Sequence, residues 1–242
     1  IGFIGGVNVA EKFRHWLDLH VELRGLIVRS LIKSFAGSYK MCGGKDEGLL
    51  QIASNKWRIV KKSRMHVLSH WPLKRSLLRK YYVEHLSNAQ KKIVIATPYF
   101  FPHWWLIKSL KKAARRGVQI EIILPIKADS PLSTKANHIF SSLVKGEEPK
   151  INFYFISEMI HAKSLLVDDQ EGIVGSNNID ALSFDYNMEG GLVFQHKKMV
   201  ADLKNILDKW KENSEPLSSV KKRKTFSRKL MEILFQALQP LL

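Results

Sequence analysis

His161 and Lys163 stand two residues apart in the stretch His161-Ala162-Lys163-Ser164-Leu165-Leu166-Val167-Asp168, which leads into Gly172-Ile173-Val174-Gly175-Ser176-Asn177-Asn178 and then Glu189. An imidazole beside an ammonium suits phosphate chemistry. The ring can attack phosphorus or carry a proton, and the ammonium holds an anionic oxygen as a point charge. In a strand successive side chains alternate, so this spacing puts His161 and Lys163 on one face, with Leu165 and Val167 continuing it inward. Ser176 and Asn178, on the next short strand and its turn, offer a hydroxyl and an amide to the remaining phosphate oxygens. Glu189 adds a carboxylate of the kind that ties down one ring nitrogen when a histidine must present the other. Taken singly, each residue has a plain reading as a packed histidine or a solvated charge, and only the pattern argues for a site.

The pattern is HxK, four residues, Asp, six residues, GSxN: six set positions across eighteen residues. It closely resembles the signature of the phospholipase D superfamily, whose members break and remake phosphodiester bonds through a histidine. The resemblance implies an α/β sandwich on a mixed, largely parallel sheet with a pseudo-two-fold repeat, and an exchange that uses no metal and no other cofactor. One motif histidine attacks phosphorus, and the other protonates the leaving alcohol and then deprotonates the incoming one. In the family the amino-terminal histidine is usually the nucleophile, which makes His161 the general acid and base; nothing in the residues themselves excludes the reverse. Lys163 then holds phosphate, Ser176 and Asn178 bind its oxygens, and Glu189 orients His161. Asp168 is expected to brace its loop, a place that Asp169 could also fill.

The first residues repeat the end of this motif. Shifted by 170 positions, Ile1 to Val9 fall on Glu171 to Ile179, with Gly2 on Gly172, Gly5 on Gly175 and Asn8 on Asn178. With one residue of slippage Asp18 falls on Glu189, and each opens an apolar segment, Leu19 to Leu23 and Gly190 to Phe194. Internal repetition is the most direct statement a sequence makes about organisation, and here it says two half-sites. Asn8 becomes a phosphate ligand and Asp18 the histidine-orienting acid of a first half whose own His, Lys and Asp would fall before residue 1. The expectation is a piece of a longer polypeptide, short of its first HxK and of roughly a hundred residues of half-domain. The alternative is a short chain that kept a remnant.

The elements that must hold the motif alternate in type. Lys92 to Ala96, Val118 to Leu124 and Ile151 to Ile156 read as strands, separated by helical patterns over Trp104 to Arg116 and Leu132 to Lys145. In such α/β sheets ligands sit at the carboxyl ends of strands, where Pro98-Tyr99-Phe100-Phe101-Pro102 and Asp129-Ser130-Pro131 fall. Those aromatics either line a lipid channel or pack under a turn. Trp16 to Val21, Tyr99 to Pro102 and Lys111 to Val118 are similar to bacterial cardiolipin synthases, specifically those lacking amino-terminal membrane spans. The chain divides into residues 1–37, a remnant first half-domain; 38–72, a connecting segment with a short strand around Trp57 to Val60; 73–213, a complete second half-domain; and 214–242, a linker and basic tail.

The net charge is +17, and it is patched: residues 51–80 hold nine Lys or Arg and no acid, and residues 216–242 hold six against Glu232 alone. Such patches attract polyanions, whether an anionic bilayer or a nucleic acid. Behind Lys221-Lys222-Arg223-Lys224, the residues Phe226, Leu230, Ile233, Leu234, Leu238 and Leu241 recur at helical spacing. The tail therefore reads as a basic amphipathic helix able to lie among headgroups. The lone Cys42 allows no internal disulfide and no thiolate cluster. For a cardiolipin synthase the resemblance implies phosphatidylglycerol as substrate, an anionic membrane surface and the missing half-domain in cis as partners, and a peripheral place on the cytoplasmic face of a bacterial inner membrane. Nucleic acid is disfavoured as a partner. The rival readings are a nuclease or phospholipid hydrolase of the same superfamily, and a catalytically incomplete membrane or nucleic-acid binding protein.

Overall fold

The computed structural model describes residues 1–54, 64–72 and 76–217. Trp57 to Val60, much of the basic run and the amphipathic tail lie outside the described residues. The chain opens on a hairpin, β1 (Gly2–Gly5) and β2 (His20–Leu23), with a single 3-10 turn at Glu11–Phe13 between them. Then follow α1 (Val28–Met41), α2 (Glu47–Ser54), β3 (Met65–His70), α3 (Leu77–Asn88), β4 (Lys92–Ala96), α4 (Trp104–Arg115), β5 (Gln119–Pro125), α5 (Pro131–Lys145) and β6 (Ile151–Ile156). The last part holds β7 (Ser164–Val167), β8 (Glu171–Gly175), β9 (Glu189–Phe194), α6 (Lys197–Glu212) and β10 (Ser214–Pro216). Local chemistry sets the helix starts: Ser76 accepts from Arg79 N to cap α3, and Ser130 accepts from Ser133 N ahead of Pro131 to cap α5.

Among the described residues, one eight-stranded sheet runs in the order β10-β6-β5-β4-β7-β8-β9-β3. It is mixed, as expected, but not largely parallel: β4–β5 and β5–β6 are parallel and the other pairings are antiparallel. The reason is connectivity. Parallel neighbours need a crossover helix, which α4 and α5 supply, whereas β7, β8 and β9 follow one another with no helical crossover and so must reverse. The unit expected over residues 73–213 also gains a strand at each edge, β3 from the connecting segment and β10 from the linker. β10 is too short and β3 lacks the alternation that announces a strand, and each is drawn in by an edge left open by β6 or β9.

Alternation along the strands divides the core. Ile93, Ile95, Ile120, Ile122, Leu165 and Val167 pack under Leu78, Leu86, Leu106, Leu110 and Phe140 of α3, α4 and α5. Val94, Ile123, Leu166 and Leu192 turn the other way, under Leu203 and Leu207 of α6 and Leu23 of the first hairpin. The two hairpins agree in register. Gly2 pairs with Leu23 and Gly5 with His20, as Gly172 pairs with Phe194 and Gly175 with Gly191, so the repeat read from the sequence is a repeat of paired strands.

Strand directions place the chemistry. β8 runs with β4, while β7 and β9 run against it, so the exits of β4, β5 and β8 and the entries of β7 and β9 open on one end of the sheet. At the other end Glu171 accepts from Tyr81 Oη at 2.7 Å and Gln195 Nε2 at 2.6 Å and lies 2.6 Å from His85 Nε2. Burial opposes both charges, yet these bonds hold the Glu171 carboxyl down at about 2 and raise His85 above its usual value. The Glu171 contribution to stability is present above its unfolded value of 4.5 and fades as pH falls toward 2; that of His85 is present below 6.5 and fades as pH rises through its raised value. Stability is expected to peak between those unfolded values. Glu171→Gln should cost on the order of 2 kcal/mol there and flatten both limbs, which urea titrations across pH will show; an unchanged profile would refute the pairing.

Candidate active site

The loop between β1 and β2 is laced to the segment entering β7. Leu17 O accepts from His161 N at 2.7 Å and Ala162 N at 3.1 Å, and Leu17 N donates to Met159 O at 2.9 Å. His161-Ala162-Lys163 is extended, as expected, but it precedes β7 rather than lying within a strand of the main sheet. Pairing of β7 with β4 stops at Ser164 opposite Ala96, and beyond that point the chain bonds to the first hairpin's loop instead. The predicted juxtaposition holds nonetheless, because alternation survives: Ala162 turns into the core and His161 and Lys163 meet on the other side.

Asp18 Oδ2 lies 2.8 Å from His161 Nδ1, with both side chains largely buried. Trp16 tilts over the imidazole at a centroid distance of 5.0 Å. Lys163 Nζ lies 2.7 Å from Nε2 and 2.9 Å from Nδ1 and donates to His161 O at 2.5 Å. With Nδ1–H donated to the carboxylate, Nε2 keeps the lone pair and is the nitrogen that can act. Burial pushes the Lys163 ammonium down to about 8, against the pull of Asp18, Glu189, Asp180 and Asp129. Gly6 makes the close approach workable: a Cβ there would lie 2.7 Å from Asp18 Oδ1 and 3.1 Å from Lys163 Cδ.

Glu189 therefore does not orient His161. Its Oε2 accepts from Ser176 Oγ and its Oε1 from Asn187 Nδ2 at 3.4 Å. Glu189 opens β9 beside Ser176 on its own hairpin, while the loop carrying Asp18 is the one that crosses to His161. Asn178 N donates to Ser183 Oγ at 3.0 Å, its amide bonds to Asp180, and its Oδ1 is buried without a partner. Asn8 is exposed on its turn, and the residue of that turn packed on Lys163 is Gly6. No group of three or more His, Cys, Asp or Glu side chains able to hold a metal occurs among the described residues.

The family described as cardiolipin synthase, PLD-like domain, matches residues 82–211, more than half of the chain. The chain belongs to this phospholipase D-like family. Minor cardiolipin synthase ClsB of Bacillus subtilis (strain 168) is 28% identical over 248 residues, covering 98% of this chain and 60% of that protein. Probable cardiolipin synthase YwiE of the same organism is 30% identical over 230 residues, covering 90% and 45%. The chain thus spans about half the length of the curated relatives it matches. Among solved structures, phosphatidylserine synthase from Haemophilus influenzae Rd KW20 superposes with a TM-score of 0.59 over 74% of this chain and 48% of that one, at 16% identity. Nuc, a phospholipase D family member from Salmonella typhimurium, gives 0.52 over 63% and 97%, at 17% identity. At such identities the likeness is one of fold.

In this phospholipase D-like chain the motif's acid lies at the far end of β7 from the histidine. Asp168 is left-handed, with φ 54°, and its carboxylate accepts from the backbone N–H groups of Gln90, Lys91 and Lys92 at 2.7 to 2.8 Å. It ties the α3–β4 turn to β7; Asp169, also at φ 54°, is exposed and does not fill that place. Asp168→Ala should cost about 2–4 kcal/mol by leaving those donors unpaired, and Asp168→Asn less. Thermal melts and turnover per folded molecule will separate the two roles, since a brace changes the first and spares the second.

Two features were missed in the sequence. Asp180, two residues past Asn178, is buried at the same end, where burial pushes its carboxyl up to about 6 although Ser183 N donates to it at 2.7 Å. The continued i, i+2 spacing from Ser176 and Asn178 could have flagged it. Trp16 carries no such signal, because only the docking of the first hairpin brings it to the ring. The aromatic run after β4 divides its tasks. Phe100 is fully buried and Phe101 packs against the core, while Tyr99 Oη donates to Asp129 Oδ2 at 2.7 Å at the rim.

Proposed function

We propose that this chain supplies one of two HxK half-sites of a phosphatidyltransferase that forms cardiolipin from phosphatidylglycerol. The observation that carries the reading is the buried Asp18–His161–Lys163 row, which leaves Nε2 as the acting nitrogen beside a cation suited to phosphate. The relatives' names supply the lipid. The histidine of the other half-site attacks phosphorus, forming a P–N bond as the P–O bond to glycerol breaks, and His161, entering this step as the imidazolium with a second proton on Nε2, gives that proton to the glycerol and is left with the Nε2 lone pair. His161 then takes the proton of a second phosphatidylglycerol hydroxyl, whose oxygen displaces the first histidine. Lys163 and Asn178 hold the phosphate oxygens, Ser176 joins them by turning its proton from Glu189 to the phosphate, and Asn8 is their first-half counterpart. Glu189, at the place in the repeat that Asp18 holds, orients the imidazole of the other half.

The half-domain that carries that imidazole is a partner in cis, and the protein works peripherally at the cytoplasmic face of a bacterial inner membrane, where the +17 charge favours anionic lipid over release. No helix among the described residues is long and apolar enough to cross a membrane. Residues 1–242 by themselves should turn over negligibly. Thin-layer chromatography of lipids from cells making the full-length protein should show cardiolipin that disappears with His161→Ala. Cardiolipin unchanged by that substitution, with DNA cleaved instead by the purified protein, would replace this reading with the nuclease.

A further inference from the structure

Beyond residue 76, the end of the sheet that holds the site also holds all but one of the large apolar side chains that the described residues leave in water; others lie on the first hairpin and α1. Among the described residues beyond 76, the large exposed apolar side chains are Leu77, Val83, Trp104, Leu132, Leu182, Tyr186 and Met188. All but Val83 sit where an element opens onto that end. Leu77 and Trp104 begin α3 and α4, Leu132 lies in the first turn of α5, and the last three belong to the connection from β8 to β9. Independent contacts bring these segments together: Phe101 N donates to Ile179 O at 2.8 Å, joining the exits of β4 and β8, and the Arg79 guanidinium lies 5.2 Å over the Trp105 ring, joining the starts of α3 and α4. Trp104 is 43% exposed, Tyr186 50% and Leu132 53%, whereas their neighbours Leu106, Phe140 and Phe184 are buried. Apolar groups scattered singly over a surface need no account, but convergence from four segments on one rim does.

The charges beside them narrow the partner. Arg79 follows Leu77 by two residues, and Lys127 and Lys135 flank Leu132; all three are exposed. The acids at this end of the main sheet are Asp129, engaged by Tyr99 Oη; the partly buried Asp185 and Glu189, the second engaged by Ser176 Oγ; and the buried Asp180, engaged by Ser183 N. Exposed lysines among the apolar residues argue against a protein partner, whose contact surfaces are depleted in Lys. They fit a layer of lipid phosphates, at which Trp and Tyr also settle because they join an apolar body to a polar tip.

We infer that this rim is an interfacial docking face that seats in the headgroup layer of an anionic phospholipid bilayer. Trp104, Leu132, Leu182, Tyr186 and Met188 reach the acyl boundary, and Arg79, Lys127 and Lys135 rest on phosphates. The buried His161–Lys163 pair is thereby brought over a lipid phosphodiester. The inference rests on the phosphatidyl-transfer reading for its choice of lipid, and it is separate from any attachment through residues 221–242.

The test is flotation of the full chain with phosphatidylglycerol-rich vesicles, compared with the triple variant Trp104→Ser, Leu132→Ser, Tyr186→Ser and with Lys127→Gln, Lys135→Gln. The triple variant should lose roughly tenfold or more in partition coefficient, and the charge variant should lose binding mainly at low salt. Vesicles with brominated acyl chains should quench the emission of the parent more than that of Trp104→Phe, a single substitution that answers the question even if the triple variant folds poorly. Equal binding by the parent and a folded triple variant, equal quenching with and without Trp104, or equal affinity for neutral vesicles would overturn the docking face. Transfer by the full-length enzyme on short-chain phosphatidylglycerol dispersed as monomers needs no docking. Its absence would count against phosphatidyl transfer, and its persistence in the triple variant isolates the rim's role.

Discussion

Lys163→Met should abolish phosphatidyl transfer while making the protein more stable. The Lys163 side chain is buried against His161, and burial holds its ammonium down to about 8 from an unfolded value of 10.5. A base whose folded pKa is lowered works against folding. The unfolded chain binds the extra proton between those values, so stability rises with pH through that window and the full cost is present below it. The shift corresponds to roughly 3 kcal/mol, and an apolar chain of similar volume removes it without opening a cavity. Melting temperature should rise by several degrees, while turnover falls by about a thousandfold or more, because the cation that faces developing phosphate charge is gone. The parent's rate should also fall as pH rises past about 8, where the ammonium gives up its proton. Calorimetry and pH–rate profiles of the full-length enzyme and this variant check each part; a destabilised Lys163→Met would show that the ammonium braces the fold.

Asp18→Asn carries the second large effect. An amide in place of the carboxylate can donate to Nδ1, which would move the ring proton to Nε2 and silence the acting nitrogen. Turnover is expected to drop by about 10²–10⁴-fold, with substrate affinity nearly unchanged and stability altered by no more than about 1–2 kcal/mol. Glu189→Gln should leave the His161 ring proton on Nδ1, since Glu189 bonds Ser176. Nitrogen chemical shifts of the His161 ring in the two variants separate these outcomes. A tautomer change in Glu189→Gln but not in Asp18→Asn would reverse the assignment.

Much of this protein can be read from the order of its residues. Val/Ile runs separated by helices ending at Gly117 and Gly146 announce β4 to β6 and the helices over them, since burial on both faces and glycine stops are local signals. The offset of 170 announces a second hairpin because a repeated motif repeats its pairing, Gly2 with Leu23 as Gly172 with Phe194. Edge strands resist such reading. β3 and β10 gain their hydrogen bonds from neighbours distant in the chain, so their own residues need no strong preference.

The same division runs through the site. Sequence alone determined that an imidazole and an ammonium share one face, because two-residue periodicity in extended chain is a property of covalent geometry. Only the tertiary structure decided which carboxylate meets the His161 ring. Asp18 and Glu189 are equivalent by type and by repeat, and the choice between them depends on which hairpin crosses the site, a distance of 143 residues along the chain closed to 2.8 Å in space. It likewise decided what Asp168 braces and that Asp169 does not share the task, since a carboxylate at the far end of β7 meets the backbone N–H groups of residues 90–92.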